Sequence, residues 1–342
     1  MRACMLKDSW GLENLSIVDD LPDLEPGPGQ VRVAMRAAAL NFRDYMAVRG
    51  RYNPRYPIPL IPGSDGAGVV TALGAGVRQW KVGQRVSPII SQVWQSGPPD
   101  RETLKHTLGG PLPGTLQEAM IVPEDALVAV PEHLSDSEAA AVQCAGLTAW
   151  NALVTYGQLR AGKTVLIQGT SAVSLFALQF AVLLGARTIL TSGDPEKLER
   201  GRELGVDETI NYKEQPEWQR VARDLTDGRG ADHIIEIGGA GTLERSLQAA
   251  RPGGTVSLIG VMGPGRELDP SILLPAIMRN LRLQGIFVGA RQDYQAMNRA
   301  IAANQLRPII DRSFALEEAP DAIRQQGEGE RFGKLVVEIE AG

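Results

Sequence analysis

The chain has 342 residues, 43% of them hydrophobic and 22% charged, enough to bury the cores of about two domains. A formal charge of −5 and a pI near 5.4 leave no basic footprint for nucleic acid or an anionic membrane surface. Two cysteines, Cys4 and Cys144, make neither a disulfide framework nor a C-x-x-C pair.

Met1 to Asp8 runs straight into strand-like sequence without an apolar signal region, and no apolar run reaches the ~18 residues of a membrane span. The chain therefore reads as cytoplasmic. Residues 1–125 are rich in glycine and proline and carry β-type runs at Gln30–Met35, Ala67–Ala72 and Arg85–Ile90, which predict a mostly β domain. The polar, glycine- and proline-rich stretch Pro88–Pro113, with Trp94 in it, predicts a long loop rather than core. Ser135 and Glu138 form a capping box ahead of Ala139–Val142 and mark a helix start.

From Thr164 onward strands and helices alternate. Strands are expected at Thr164–Gln168, Thr188–Thr191, Glu208–Ile210, His233–Ile237 and Thr255–Gly260, with helices from Val173, at Glu196–Leu204, from about Pro216 and near Thr242–Ala250. This alternation specifies a parallel sheet wrapped by helices over 126–265. After Pro264 it loosens, and the β-type run Lys334–Ile339 suggests that 266–342 returns to complete the first domain.

The most informative stretch is Lys163–Phe180, where an apolar strand breaks at a small-residue turn and becomes an apolar helix. In the G-x-G-x-x-G fingerprint the glycines make the turn, admit a pyrophosphate and allow close helix packing. Only Gly169 survives here. Ser171 and Ser174 hold the second and third positions with Ala172 between, all small. The N–H groups near Ala172 and Val173, with the Ser171 hydroxyl, are expected to face an anion at the helix N-terminus.

Further stretches fall in a recognisable order: Ala39–Asp44, Pro62–Val70, Cys144–Trp150, the Gly169 turn, Ala249–Gly254 and Gly333–Lys334. On these the chain resembles the medium-chain dehydrogenases/reductases, in particular the zinc-free branch of quinone oxidoreductases and enoyl reductases. The resemblance implies an α/β protein, with a GroES-like, mostly β catalytic domain and a doubly wound Rossmann domain, and a substrate cleft between them. It further implies a homodimer acting on a small molecule, and cofactor contacts from Thr148, Thr170, Gly260, Phe287, Gly289 and Lys334 beside the Gly169 turn.

Zinc-dependent members use an early cysteine, a G-H-E motif and a later cysteine or acid. Here Asn41 stands at the first position and Gly63-Ser64-Asp65 at the second, leaving Cys144 alone, so no zinc is expected and Cys144 reads as a small buried hydrophobe. His106, His133 and His233 share no ligand spacing and are expected at the surface or behind a site.

Cofactor choice turns on the end of the second Rossmann strand, where an acid would bind the ribose hydroxyls of NAD. Neutral Ser192, then Lys197 and Tyr212, resemble the NADPH-using reductases. Against this, Lys197 and Arg200 can simply solvate a helix face, and Asp194 can serve NAD if the loop curls back. Without a metal, alcohol oxidation lacks the usual stabiliser of an alkoxide. Hydride transfer from NADPH to a quinone or an α,β-unsaturated carbonyl is easier, because the charge spreads over an enolate that hydrogen bonds can hold and a phenol or water can protonate. Asn41, Tyr45, Tyr52 and Trp94 are the candidate cleft residues, although a strand tyrosine is commonly structural. Arg43-Asp44 reads as a plain local ion pair. The competing functions are a zinc-free alcohol dehydrogenase and a nucleotide-binding protein without redox turnover.

Overall fold

The structure, a computed structural model, describes residues 1–23, 25–260, 270–329 and 331–340. In chain order it begins with strands β1 (Ala3–Leu6), β2 (Leu15–Val18) and β3 (Gln30–Ala39), helix α1 (Phe42–Val48), and strands β4 (Asp65–Leu73), β5 (Arg85–Pro88), β6 (Ala119–Pro123) and β7 (Leu127–Ala129). Helices α2 (Asp136–Ala141) and α3 (Gln143–Trp150) follow. An alternating region comes next: β8 (Thr164–Gln168), α4 (Ala172–Leu183), β9 (Arg187–Ser192), α5 (Pro195–Glu203), β10 (Glu208–Asn211), α6 (Trp218–Asp224), β11 (Ala231–Glu236), α7 (Leu243–Ala249), β12 (Ala250–Leu258), α8 (Leu274–Met278) and β13 (Arg282–Gly285). The chain closes with α9 (Arg291–Ala303), β14 (Ile310–Ala315), α10 (Ala319–Glu328) and β15 (Lys334–Glu338).

Two compact units result, Met1–Leu147 with Gly289–Gly342, and Thr148–Val288. In the first, a seven-stranded sheet runs β14-β15-β3-β4-β5-β7, with β6 also pairing β3. Strand β3 organises it: its residues alternate half-buried and buried through Met35, the period-2 signature of a strand with one core face. Val31, Val33 and Met35 join Val70, Val86, Leu116, Val122, Leu335 and Val337 in one core. The C-terminal β15 lies antiparallel to β3, with Val336 opposite Ala39, so the tail does complete the N-terminal sheet.

In the second unit six strands are ordered β10-β9-β8-β11-β12-β13, every pairing parallel. Leu166, Ile189, Ile210, Ile234 and Val256 form its centre with Trp218 and Leu247 from the helices. Strand order reverses between β8 and β11, where doubly wound sheets open a crevice at the carboxyl ends of the strands.

Two expectations need correction. The unit boundaries fall at 147/148 and 288/289 rather than at 125/126 and 265/266. Helix α2 packs on β3, β4 and β15 and so belongs to the first unit, while β13 pairs with β12 and keeps the chain in the second past residue 266. The stretch 88–113 is irregular but not a solvated loop, since Ile89, Ile90, Trp94 and Leu108 are all at most 4% exposed. Ser91 Oγ donates to the Thr103 carbonyl (2.8 Å) and the Leu108 N–H to that of Ile90 (2.9 Å), which folds the segment onto itself. Among the described residues no helix is long and apolar enough to cross a membrane.

Candidate active site and dinucleotide cleft

In the first unit the polar residues converge on one buried ammonium. Asn41 is the N-cap of α1, and its N–H donates to Asp44 Oδ2 (2.8 Å). Its amide nitrogen donates to Ser64 Oγ (3.1 Å), while its Oδ1 accepts from Lys334 Nζ (2.9 Å). Lys334, 1% exposed, also donates to the Leu40 carbonyl (2.9 Å) and to Asp65 Oδ2 (3.0 Å). The other Asp65 oxygen accepts the N–H of Cys144 (3.1 Å). Topology makes this cluster possible: β15 delivers Lys334 beside the end of β3, and β4 starts at Asp65 opposite Ala39.

Lys334 was expected at the cofactor. Its ammonium has three donors, and in this structure all three are taken inside this unit, by Leu40, Asn41 and Asp65. The same cluster answers whether zinc fits. A cation already holds Asn41 and Asp65, an amide is a poor zinc ligand, and Cys144 is left as the one thiol beside them. The donor set does not fit zinc, and among the described residues no group of three potential metal ligands occurs.

The remaining candidates of this unit lie nearby. Tyr45 is on helix α1, not on a strand; its hydroxyl accepts from Arg49 Nη1 (2.6 Å) and its ring packs on Phe42. Tyr52 lies beyond the end of α1, with the Arg43 guanidinium 5.1 Å above its ring and Tyr56 beside it. The Arg43–Asp44 pair is not a plain surface pair: at 3.6 Å, with side chains 8% and 0% exposed, it is buried, and Arg43 donates to the Leu108 carbonyl (2.8 Å). Burial pushes the Asp44 carboxyl up, against the pull of Arg43. Trp94 is 4% exposed with its indole N–H on the Gly97 carbonyl (2.9 Å), so it is a packing residue rather than a cleft wall.

In the second unit Gly169 follows β8 directly with φ +66°, a left-handed conformation that favours glycine, and its N–H donates to the Thr191 carbonyl (2.7 Å). Thr170 is buried beside it. Ser171 is the N-cap of α4 but gives no side-chain cap, which leaves the N–H groups of Ala172 and Val173 at an uncapped first turn. The two serines at former glycine positions close the turn themselves: Ser171 Oγ lies 3.0 Å from Ser174 Oγ, and Ser174 donates to the Gln168 carbonyl (2.6 Å). The lost glycines are therefore replaced by a hydrogen-bonded pair, which the sequence did not suggest.

A cavity of about 400 Å³ opens beside this turn, within the usual size for a ligand cleft. Gln168, Gly169, Thr191, Tyr212, Ile237, Gly238, Thr242 and Arg245 line it. Ser192 ends β9, and its hydroxyl accepts the N–H of Asp194 (3.2 Å). Asp194 caps α5 through Oδ1, accepting from Glu196 (3.0 Å) and Lys197 (3.3 Å) N–H groups, while its Oδ2 lies 4.0 Å from Lys197 Nζ. Gly260 follows β12, and a Cβ there would meet the Ile237 carbonyl oxygen at 1.8 Å, so only glycine fits. Thr148 is buried on α3, Phe287 is half-buried beyond β13, and Gly289 opens the returning segment of the first unit.

The histidines divide. His106 and His133 are half-exposed, whereas His233 is 8% exposed on β11, where burial lowers its pKa. A larger cavity of about 520 Å³ in the first unit is lined by Arg312, Asp321, Arg324 and Gln325, whose polar groups pair with one another.

The comparisons agree with this arrangement. Residues 27–132 match the alcohol dehydrogenase GroES-like domain, and residues 172–303 match the zinc-binding dehydrogenase domain. A zinc-type alcohol dehydrogenase-like protein of Schizosaccharomyces pombe is 37% identical over 92% of both chains. A quinone oxidoreductase of Pseudomonas aeruginosa is 34% identical over 89% of both. The solved structure of an NAD-dependent alcohol dehydrogenase superposes with a TM-score of 0.90 at 34% identity, covering 99% of this chain and 100% of that one. The chain belongs to the zinc-type alcohol dehydrogenase family of the medium-chain dehydrogenases/reductases. It is an NAD(P)H-dependent oxidoreductase.

Proposed function

We propose that this enzyme works without zinc and transfers hydride from NADPH to a quinone or an α,β-unsaturated carbonyl. The observation that carries the reading is the Lys334 ammonium held by Asn41 Oδ1 and Asp65 Oδ2, where zinc-dependent relatives need metal donors. With no Lewis acid to hold an alkoxide, the chemistry that remains accessible is one whose charge delocalises.

Bound NADPH supplies the hydride. In this reading the uncapped first turn of α4, at Ala172 and Val173, holds the pyrophosphate, Gly169 makes the tight turn before it, and Gly260 lets the loop at Ile237 pack close. Ser192, Lys197 and Tyr212 select the 2′-phosphate. Arg245, which has no hydrogen-bond or ion-pair partner among the described residues, adds a cation to the same cleft. Asn41, fixed by Ser64 and Lys334, orients the acceptor, and the Tyr52 or Tyr45 hydroxyl, or water, delivers the proton. Steady-state assay of enones, enoyl esters and quinones with NADPH tests the reading, together with metal analysis of the purified protein. Turnover that disappears with one chelatable zinc per chain would overturn it.

A second reading, NAD-linked alcohol oxidation, is supported by Asp194, whose Oδ2 makes no hydrogen bond to the α5 cap, and by the likeness to an NAD-dependent alcohol dehydrogenase. NADH preferred over NADPH by the parent enzyme would favour it. The proposal includes a homodimer in the cytoplasm. Strand β13 is an edge of its sheet, and Leu274, Ile277 and Met278 of the neighbouring α8 are 57%, 70% and 75% exposed. A monomer by light scattering at micromolar concentration would remove the dimer.

A further inference from the structure

The wall of the cleft rests on a carboxylate that the proposed reaction does not use. Glu236, last residue of β11, is 0% exposed. Its Oε1 accepts the N–H groups of Gly238 (2.8 Å) and Gly239 (2.9 Å) and the Thr242 hydroxyl (2.6 Å). Its Oε2 accepts from Gln168 Nε2 (2.8 Å) and from the Ser246 hydroxyl. All five donors are neutral. A buried carboxylate without a cation is costly and is retained only when its acceptor capacity is filled.

What those bonds hold is the loop after β11. Gln168, immediately before the Gly169 turn, lies beside Glu236 and bonds the same loop, its Oε1 accepting from the Ile237 N–H (3.2 Å) and sharing the Gly238 N–H (3.3 Å) with Glu236. Gly260 packs against the same loop, with no room for a Cβ against the Ile237 carbonyl. Ile237, Gly238 and Thr242, so fixed, line the cleft together with Tyr212 and Thr191.

We propose that Glu236 is a positioning residue for cofactor binding: with Gln168 it clamps the 237–242 loop into the fixed wall of the cleft that takes the adenosine half of the dinucleotide. The inference rests on reading the Gly169 turn as the dinucleotide site. An acid is needed because an amide at 236 turns donors toward donors, leaving at least one loop N–H or the Gln168 amide unsatisfied.

Two measurements on the full chain test the clamp: amide exchange of 237–242 without ligand, and NADPH affinity by fluorescence titration. Glu236→Gln should speed exchange at Gly238 and Gly239 and weaken NADPH binding about tenfold or more, with kcat at saturating NADPH unchanged. The swap Gln168→Glu with Glu236→Gln, which restores one acid and one amide, should recover most of the affinity. If Glu236→Gln does not fold, Ser246→Ala removes one donor while keeping the carboxylate and should give a smaller loss in the same direction. Unchanged exchange and affinity in the single variants, or a swap no better than either change alone, overturn the clamp while leaving the dinucleotide site standing. A parent protein that binds no dinucleotide overturns both.

Discussion

Asp65 and Glu236 are both fully buried carboxylates, one in each unit, and they are satisfied in opposite ways. Asp65 faces the Lys334 ammonium at 3.0 Å and one backbone N–H. Glu236 faces five neutral donors, three of them from the loop it shapes. A paired charge stays buried whatever the neighbouring loops do, because its energy comes from one partner. A carboxylate held by dipoles depends on the geometry of every donor, so it transmits the position of a loop to the sheet. The first arrangement suits a fixed scaffold under a reacting centre; the second suits a wall that must be set to fit a ligand.

The comparison breaks most readily at Lys334. Lys334→Met leaves Asp65 charged and unpaired, and removing one partner of a buried pair costs about 3–5 kcal/mol. Urea unfolding should show that loss, and adding Asp65→Asn should recover much of it. A single variant within about 1 kcal/mol of the parent would show that the ammonium does not hold the cluster together.

The next effect is at Gly260, which presses on the loop that Glu236 holds. Gly260→Ala drives a methyl into the Ile237 carbonyl, at 1.8 Å in the unrelaxed geometry. Overpacking of this kind costs about 1–3 kcal/mol, and the displaced loop should also weaken NADPH binding. Equal stability and affinity in the variant would mean that the wall is not set by this contact.

Much of this was legible in the sequence and some was not, for identifiable reasons. The Ser135 box forms as expected, with Ser135 accepting from the Glu138 N–H (3.1 Å) and the Glu138 carboxylate accepting in return (2.8 Å), because a cap is local chemistry. The parallel sheet was legible from alternation alone. Lys334 was not, because its partners are almost 300 residues away in sequence, at Leu40, Asn41 and Asp65, and only the pairing of β15 with β3 brings them together. Glu236 did leave a signal that was passed over: an acid inside the apolar run Ile234-Ile235-Glu236-Ile237 of a strand buried on both faces must find partners. Trp94 misled because glycine and proline content marks irregular backbone, not exposure.

Cofactor selectivity gives a third, moderate test in the second unit. An aspartate at the end of β9 accepts ribose hydroxyls but repels a 2′-phosphate, whereas Ser192 leaves room for charge and Lys197 attracts it. A charge-assisted hydrogen bond contributes roughly 1.5–3 kcal/mol, so Lys197→Ala should raise the KM for NADPH about ten- to a hundredfold and scarcely affect NADH. Ser192→Asp should invert the preference. A parent enzyme that uses NADH equally well would transfer the ribose contact to Asp194.

The smallest effect is expected at Cys144, which sits beside the Asp65 charge and takes no part in the reaction proposed. Cys4 is fully buried, whereas Cys144, expected as a buried hydrophobe, is half-buried; desolvation pushes both thiols up to about 12 from an ordinary value near 9, and the Asp65 charge adds to the shift at Cys144. At pH 8 both are protonated, so alkylation of the folded protein should be slow, and Cys144→Ala should keep turnover within a few-fold. The pH dependence has a definite sign. In the unfolded chain the thiols ionise near pH 9, while in the folded protein they hold their protons to about 12. Their contribution to stability is therefore fully present below about pH 9 and is lost as pH rises toward 12, because the unfolded state alone releases protons there. Urea midpoints at pH 8 and pH 10.5 should fall further apart for the parent than for Cys144→Ala, since other alkaline groups titrate equally in both. The same separation in the two proteins, or rapid alkylation of Cys144 at pH 8, would mean that the thiol is hydrated and that the polar centre around Asp65 is open to water rather than closed by Lys334.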